Sequence, residues 1–210
     1  MLTSIIIRTY NEEKYLEELL NAIQLQKCEL TDLEVVIVDS GSDDQTLEIA
    51  KRHGSRITHI AKSEFTFGRS LNIGCEFARG NIFAFVSGHC IPVDSNWLDE
   101  LVRPILDKSA SYTYGKQEGF GPTKFSEKCH FDKWFPDYSK IPQLDYFCNN
   151  ANAALEKCTW DEFHFNEDLT GLEDMYLAKQ LAANGKSIAY IAKASVHHIH
   201  DEGWKQVMLR

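Results

Sequence analysis

Residues 81–98 read NIFAFVSGHCIPVDSNWL, and the reading of this stretch decides the fold. Ile82-Phe83-Ala84-Phe85-Val86 is a short apolar run, aromatic and β-branched, as a strand buried on both faces requires. It stops at Ser87-Gly88-His89-Cys90, a small, polar, ligand-capable tetrad. Pro92 is expected to end regular pairing. Asp94-Ser95 reads as the cap of a helix that starts near Trp97-Leu98. In open α/β sheets ligands sit outside the carboxyl ends of the strands. The tetrad is therefore the first place to look for chemistry.

Working outward, the same alternation recurs. Residues 3–7 (TSIII) form a strand ending in Arg8-Thr9-Tyr10-Asn11-Glu12, and a helix follows from Glu13 to Gln26. Its Tyr15, Leu16, Leu19, Leu20 and Ile23 recur at helical spacing. Residues 34–38 (EVVIV) are a second strand, Gln45 to His53 a helix, and Arg56 to Ala61 a third strand. Phe65-Thr66-Phe67-Gly68-Arg69-Ser70-Leu71-Asn72 comes next, then a helix to about Ala78. After the central stretch come a helix over 96–107 and a strand over 112–117. Residues 118–146 are an irregular, aromatic-rich excursion containing Phe131, Trp134, Phe135 and Tyr138. A returning strand is expected over 147–155, a helix over 169–184, a strand over 188–191 and an extended segment over 195–200. Repeated β-loop-α units imply parallel strands with right-handed crossovers. The expectation is one α/β domain with a mostly parallel central sheet flanked by helices.

Composition narrows the function. The chain has 210 residues, is 43% hydrophobic and carries a formal net charge of -9. That length supports one sizeable core. The acidic balance argues against general nucleic-acid binding. None of the six cysteines forms a CxxC pair, so a zinc knuckle is not expected and free thiols are. There is no leader-like start and no apolar run of membrane-spanning length. A cytoplasmic protein is expected, with peripheral contact at the inner face of the membrane left open.

Several stretches carry two readings. Asp39-Ser40-Gly41-Ser42-Asp43-Asp44 can simply cap the following helix, or can offer Asp39 and Asp43 to a ribose or base. Thr9-Tyr10-Asn11-Glu12 closes the neighbouring strand, so the two polar ends together point to a nucleotide site. Arg69, in a polar break after Gly68, suits either a phosphate or solvent. Glu173-Asp174 start a helix, where acids favour the dipole, or supply a general base. His198 and His200 share one face of an extended segment, and His197 faces the other way. A same-face histidine pair can bind a divalent metal or simply be structural.

Taken together, IIIRTYNEEKYLEELLNAI, VVIVDSGSDDQTLEIA, FGRSLNIGCEFARGNIFAFVSGHCIPVDSNWL, YGKQ, NNANAALEKCTW and LTGLEDMYLAKQLAANGKSIAYI resemble, in order, the bacterial family 2 glycosyltransferases. The resemblance covers nearly the whole chain and implies a Rossmann-like GT-A domain over 1–210. Residues 1–110 would be the nucleotide-sugar-binding half and 111–210 the acceptor and catalytic half. It implies an inverting transfer from a nucleotide-diphosphate sugar to a hydroxyl of a glycan or lipid-linked acceptor, in bacterial surface-polysaccharide synthesis. Thr9, Tyr10, Glu12, Asp39, Ser40 and Asp43 would hold the nucleotide. Arg69 and Asn72 would lie by the ribose or diphosphate, and Ser87, Gly88 and His89 at the diphosphate. Asp174 would be the base and Glu173 would orient the acceptor. The excursion over 118–146 would face the acceptor, with Trp134, Tyr138 or Phe135 stacking on sugar.

The central stretch departs from that pattern. Relatives carry an Asp-containing motif for Mg²⁺ or Mn²⁺ where this chain reads Ser87-Gly88-His89-Cys90. Three solutions stand open. His89 could ligate a divalent metal with His198 or His200. Arg69, Lys116 and protonated histidines could neutralise the phosphates without metal. Or the domain could be a non-catalytic nucleotide-sugar or glycan-binding module. Residues 203–210 read as the start of an amphipathic helix, suggesting a chain cut from a longer one. The absent part would supply an acceptor site, an oligomer contact or a membrane-binding face.

Overall fold

The computed structural model describes residues 1–120 and 125–199. Its elements in chain order are β1 (Leu2–Thr9), α1 (Glu13–Gln24), β2 (Asp32–Asp39), α2 (Thr46–Arg52), β3 (Arg56–His59), α3 (Phe67–Phe77), β4 (Ile82–Ser87) and β5 (Cys90–Pro92). There follow α4 (Trp97–Leu106), β6 (Tyr112–Glu118), α5 (Phe125–Trp134), β7 (Asn152–Glu156), α6 (Lys157–Glu162), α7 (Glu173–Ala183) and β8 (Ile188–His198). The strands form one sheet in the order β3-β2-β1-β4-β7-β6-β8-β5.

Strand periodicity divides the core between the two faces of that sheet. Ile5 and Ile7 of β1 and Val86 of β4 pack with Leu16, Leu19, Ile49, Trp97 and Leu101, so α1, α2 and α4 cover one face. Ile6, Phe83 and Phe85 point the other way and pack with Leu71, Cys75, Trp160 and Leu177, from α3, α6 and α7. Strands buried on both faces must read as continuous apolar runs, which is why β1, β2 and β4 were so legible. Each buried Leu, Ile or Phe contributes about 1.5–3 kcal/mol of transfer free energy.

As expected, the sheet is mostly parallel: β1–β2, β1–β4, β2–β3 and β6–β8 are parallel, with β7 antiparallel to both β4 and β6. Four expectations need correction. Pro92 does not end pairing. It lies opposite Val196 in the antiparallel β5–β8 ladder, where β5 is the edge strand and a proline is tolerated. The strand expected over 147–155 begins only at Asn152. Before it, Asp145 and Asn149 side chains accept from the Phe147 and Ala151 N–H groups and compete with ladder pairing. The helix expected over 169–184 begins at Glu173, because Leu172 takes a left-handed conformation (φ 61°). The two late segments, 188–191 and 195–200, are one strand through His198 that crosses an irregularity opposite Gly115 and Gln117. His200 and the helix-like residues 203–210 lie outside the described residues.

Candidate active site

The carboxyl ends of β1, β2, β3 and β4 converge. Thr9 pairs in register with Asp39, Asp39 with His59, and Arg8 with Ser87. The two loops leaving β1 and β2 are stitched together. Asn11 Nδ2 donates to Asp43 Oδ1 at 2.8 Å, and the Asp43 N–H donates back to Asn11 Oδ1 at 3.0 Å. The Glu12 N–H donates to Thr46 Oγ1 and the Ser40 hydroxyl to the Thr9 carbonyl. Tyr10 stands exposed at the rim, and its hydroxyl accepts from Lys62 Nζ at 2.6 Å.

Asp39 is fully buried. Its carboxylate accepts from Thr9 Oγ1, Ser42 Oγ and the Gly41 and Ser42 N–H groups. Burial alone would raise its pKa, but these donors outweigh burial and hold it below the usual carboxylate range. Asp39 is thus the fixed point of the loop, and Tyr10, Asn11, Gly41 and Asp43 are the exposed groups around it.

At the end of β4, Gly88 permits a close approach: a Cβ there would stand 2.9 Å from Glu12 Cγ. His89 Nδ1 meets Glu12 Oε1 at 3.3 Å, and the His89 ring stacks on His198 with centroids 5.1 Å apart. His198 Nδ1 meets Gln117 Oε1 at 2.7 Å. The structure therefore brings His89 and His198 together. Their ring planes are 29° apart. Burial pushes the Cys90 thiol well up. Among the described residues no group of three or more His, Cys, Asp or Glu is placed to hold a metal. His89 and His198 are the candidate donors at this strand end, and His200, expected with them, lies outside the described residues.

The acid pair is divided in its loyalties. Glu173 is buried, and its Oε1 lies 3.8 Å from Arg8 Nη1. Arg8 in turn lies over the Phe67 ring at 5.0 Å and donates to the Phe67 carbonyl. Asp174 turns instead into a cavity of about 780 Å³. Its Oδ2 accepts from the Asn150 N–H and its Oδ1 from the Met175 N–H. Its pKa is pushed up to about 6, first by burial and then by the Glu173 charge, against the opposing pull of those N–H donors and Arg8. A carboxylate of that basicity, aimed into a cavity, can take a proton near neutral pH. The sequence reading passed over Arg8. The available signal was a single charge at the end of an otherwise apolar buried strand.

The excursion walls this cavity. Trp134, Tyr146 and Phe147 line it, with Gln117, His198 and Leu172. Of the three aromatics expected to meet sugar, Trp134 lines the cavity. Phe135 also borders it, but is buried against Tyr114, Phe131 and Phe147, and Tyr138 is not among its walls. Arg69 and Asn72 do not line this cavity. Arg69 Nε is held by Glu167 Oε2 at 3.0 Å. Asn72 is buried, with its amide bonded to Phe165, Glu167 and Trp160. It therefore holds the 165–167 segment in place and presents no free polar atom to a donor.

The sheet carries helices on both faces, two stitched loops at its carboxyl edge and Asp174 at a cavity, the architecture of a GT-A domain. The chain belongs to glycosyl transferase family 2, whose family model matches residues 4–157. O-antigen chain rhamnosyltransferase WbaN of Salmonella anatum is 28% identical over 211 residues, 94% of this chain and 66% of that protein. The crystal structure of Staphylococcus aureus TarS 1-349 with UDP-GlcNAc superposes with a TM-score of 0.78 at 22% identity, over 97% of this chain and 60% of that one. Mannosyltransferase PcManGT from Pyrobaculum calidifontis, in complex with GDP-Man and Mn²⁺, gives 0.75 at 19% identity, over 98% and 59%. The chain thus spans about two thirds of the length of its similar curated relative.

Proposed function

We propose that this chain is the catalytic domain of an inverting glycosyltransferase that uses a nucleotide-diphosphate sugar, in the assembly of a bacterial surface polysaccharide. The single observation that carries the chemistry is Asp174. It is a carboxylate with a pKa raised to about 6, oriented by two backbone N–H groups into a cavity at the end of the sheet. The acceptor hydroxyl would give its proton to Asp174 while its oxygen attacks the anomeric carbon. The bond to the diphosphate would break on the opposite side. The donor's nucleotide would lie over the β1 and β2 loops, among Tyr10, Asn11, Gly41 and Asp43, with the diphosphate towards Ser87-Gly88-His89. Likeness to an O-antigen rhamnosyltransferase supports the polysaccharide context.

A thermal-shift screen of nucleotide diphosphates and their sugars, with and without Mn²⁺ or Mg²⁺, identifies donor base and cation need together. With the donor found, Asp174→Asn is expected to keep the donor-dependent rise in melting temperature and to lose about 10²–10⁴-fold in transfer rate. Undiminished turnover in that variant overturns the assignment of the base. A second reading, a binding module without turnover, is favoured by the lack of a carboxylate at the end of β4. Sugar transfer or donor hydrolysis by the pure chain rules it out.

A further inference from the structure

Asp174 is held from two sides, and only one of them belongs to its own helix. The Met175 N–H that reaches Oδ1 comes with α7 itself. The Asn150 N–H that reaches Oδ2, at 3.1 Å, comes from a turn 24 residues away in sequence. That turn, residues 148–151, lies just before β7 and outside the strand ladders. Its backbone must therefore be fixed by other bonds. Asn149 Oδ1 accepts the Ala151 N–H at 2.9 Å, and the Ala151 carbonyl accepts the Ser87 N–H, at the end of β4, at 3.2 Å. At Asn150 the hold is a side chain: the Tyr112 hydroxyl donates to Asn150 Oδ1 at 2.5 Å.

Tyr112 is fully buried in β6, where it lies in register with Leu155 of β7 and Ile188 of β8. Its hydroxyl is thus a fixed point of the sheet. Asn150 is 3% exposed, and its Nδ2 has no hydrogen-bond partner among the described residues. A buried unpaired donor is destabilising, so packing alone does not account for an amide at this position. The bond that the amide does make runs from the sheet to the turn that holds Asp174. Neither Tyr112 nor Asn150 lines the cavity, so neither meets a ligand there. We infer that Tyr112 is a positioning residue for the proposed base: its hydroxyl fixes Asn150, whose backbone N–H in turn sets the Asp174 carboxylate at the cavity. The consequence for catalysis rests on the glycosyltransferase reading above.

Burial holds the Tyr112 phenol far above its ordinary range, so it is neutral at working pH and deleting its hydroxyl removes no charge. The charged and titratable groups facing Asp174 are Glu173 on α7, Arg8 from β1 and Cys148 from the turn; Asp145, His130 of α5 and His198 of β8 line the same cavity. Tyr112→Phe leaves all of these in place. An N–H bond favours the ionised carboxylate, so loosening the Asn150 hold raises the pKa of Asp174 above its present value of about 6.

The test follows Asp174 directly, on the whole chain, with no donor or acceptor. Aspartate carboxyls are labelled with ¹³C and titrated by NMR, the Asp174 signal being the one missing in Asp174→Asn. In Tyr112→Phe the Asp174 midpoint is expected to move up. Asn150→Ala keeps the backbone N–H but removes Oδ1, and is expected to move the midpoint by the same amount. The double variant is expected to move it no further, because both changes cut one link. Tyr190→Phe is the control. Its hydroxyl donates to the Pro136 carbonyl at 2.7 Å, so this variant also loses a hydrogen bond made by a sheet tyrosine, and the Asp174 midpoint is expected to stay in place. With a donor in hand, Tyr112→Phe is expected to lower kcat about 10–10²-fold, to leave the donor KM within about twofold and to move the acid limb of the pH–rate profile up with the NMR midpoint.

An Asp174 midpoint unmoved in Tyr112→Phe, one moved equally by Tyr190→Phe, or a moved midpoint with undiminished kcat overturns the inference. If Asn150→Ala does not fold, the two tyrosine variants still decide. A midpoint that moves as expected, in a chain that transfers no sugar from any nucleotide sugar, supports the positioning role and counts against the proposed activity alone.

Discussion

Asp174 and Arg8 are neighbours in space only because β1 and the start of α7 meet at one end of the sheet. Asp174 must be ionised to accept a proton, so kcat/KM is expected to fall about tenfold per unit as the pH drops below about 6. The groups that bear on this carboxylate are Glu173 on its own helix, Arg8 from β1, Tyr112 from β6 and Cys148 from the loop before β7. Arg8 is the only cation among them, and it lowers the Asp174 pKa. Arg8→Met is therefore expected to move the acid limb of the pH–rate profile upward, and Arg8→Lys to restore part of the shift. An unmoved limb in Arg8→Met, with activity lost only in proportion to folded protein, would reduce Arg8 to a structural residue.

At the scale of elements, two positions in the second half of the sheet decide how β6, β7, β8 and α4 fit together. Asn152, at the start of β7, is fully buried. It accepts from Trp97 Nε1 at 2.9 Å and donates to the Lys116 and Ala194 carbonyls at 3.0 and 2.8 Å. Asn152→Ala strands these groups without partners and is expected to cost about 3 kcal/mol in urea unfolding. At Gly115 β6 passes close to β8: a Cβ there would lie 2.1 Å from the Ala194 carbonyl oxygen. That contact is with backbone and cannot be relieved by a rotamer change. Gly115→Ala is expected to destabilise by about 3 kcal/mol, and a variant as stable as the parent would show that the strands can part there freely.

For the molecule as a whole, the proposed catalytic carboxylate is a source of instability. An unfolded Asp titrates near 3.9, and folding raises Asp174 to about 6. The folded state therefore holds its proton more tightly than the unfolded chain does. The stability linked to this group is fully present below about pH 4 and is lost as the pH rises through about 6. Asp174→Asn removes the charge, so at pH 8 it is expected to stabilise the protein by about 2 kcal/mol. That corresponds to a rise of about 4–8 °C in melting temperature, fading to nothing near pH 4. A gain that persists at pH 4 would mean that packing, and not the buried charge, is responsible.

The first half of the chain was readable because its signals are local. Ile5 to Ile7, Val36 to Val38 and Phe83 to Val86 are buried on both faces, so their sequences are apolar without a break. Each then ends in polar residues. The helix faces at Leu16, Leu19, Leu20 and Ile23 were equally plain. The family resemblance placed the acid pair at Glu173-Asp174 before any geometry was known. The sequence by itself thus determined the α/β class and the chain order of the first strands and helices, and it offered Glu173 and Asp174 as candidate acids. What only the tertiary structure decided is which partner each polar group serves. It set β7 antiparallel in the middle of the sheet and committed Asn72 and Arg69 to the 165–167 segment. It stacked His89 on His198, and it gave Glu173 to Arg8 while leaving Asp174 to the cavity. These are choices between residues tens of positions apart. A side chain's burial and hydrogen-bond partner depend on what the fold brings against it, and no local periodicity or spacing carries that information.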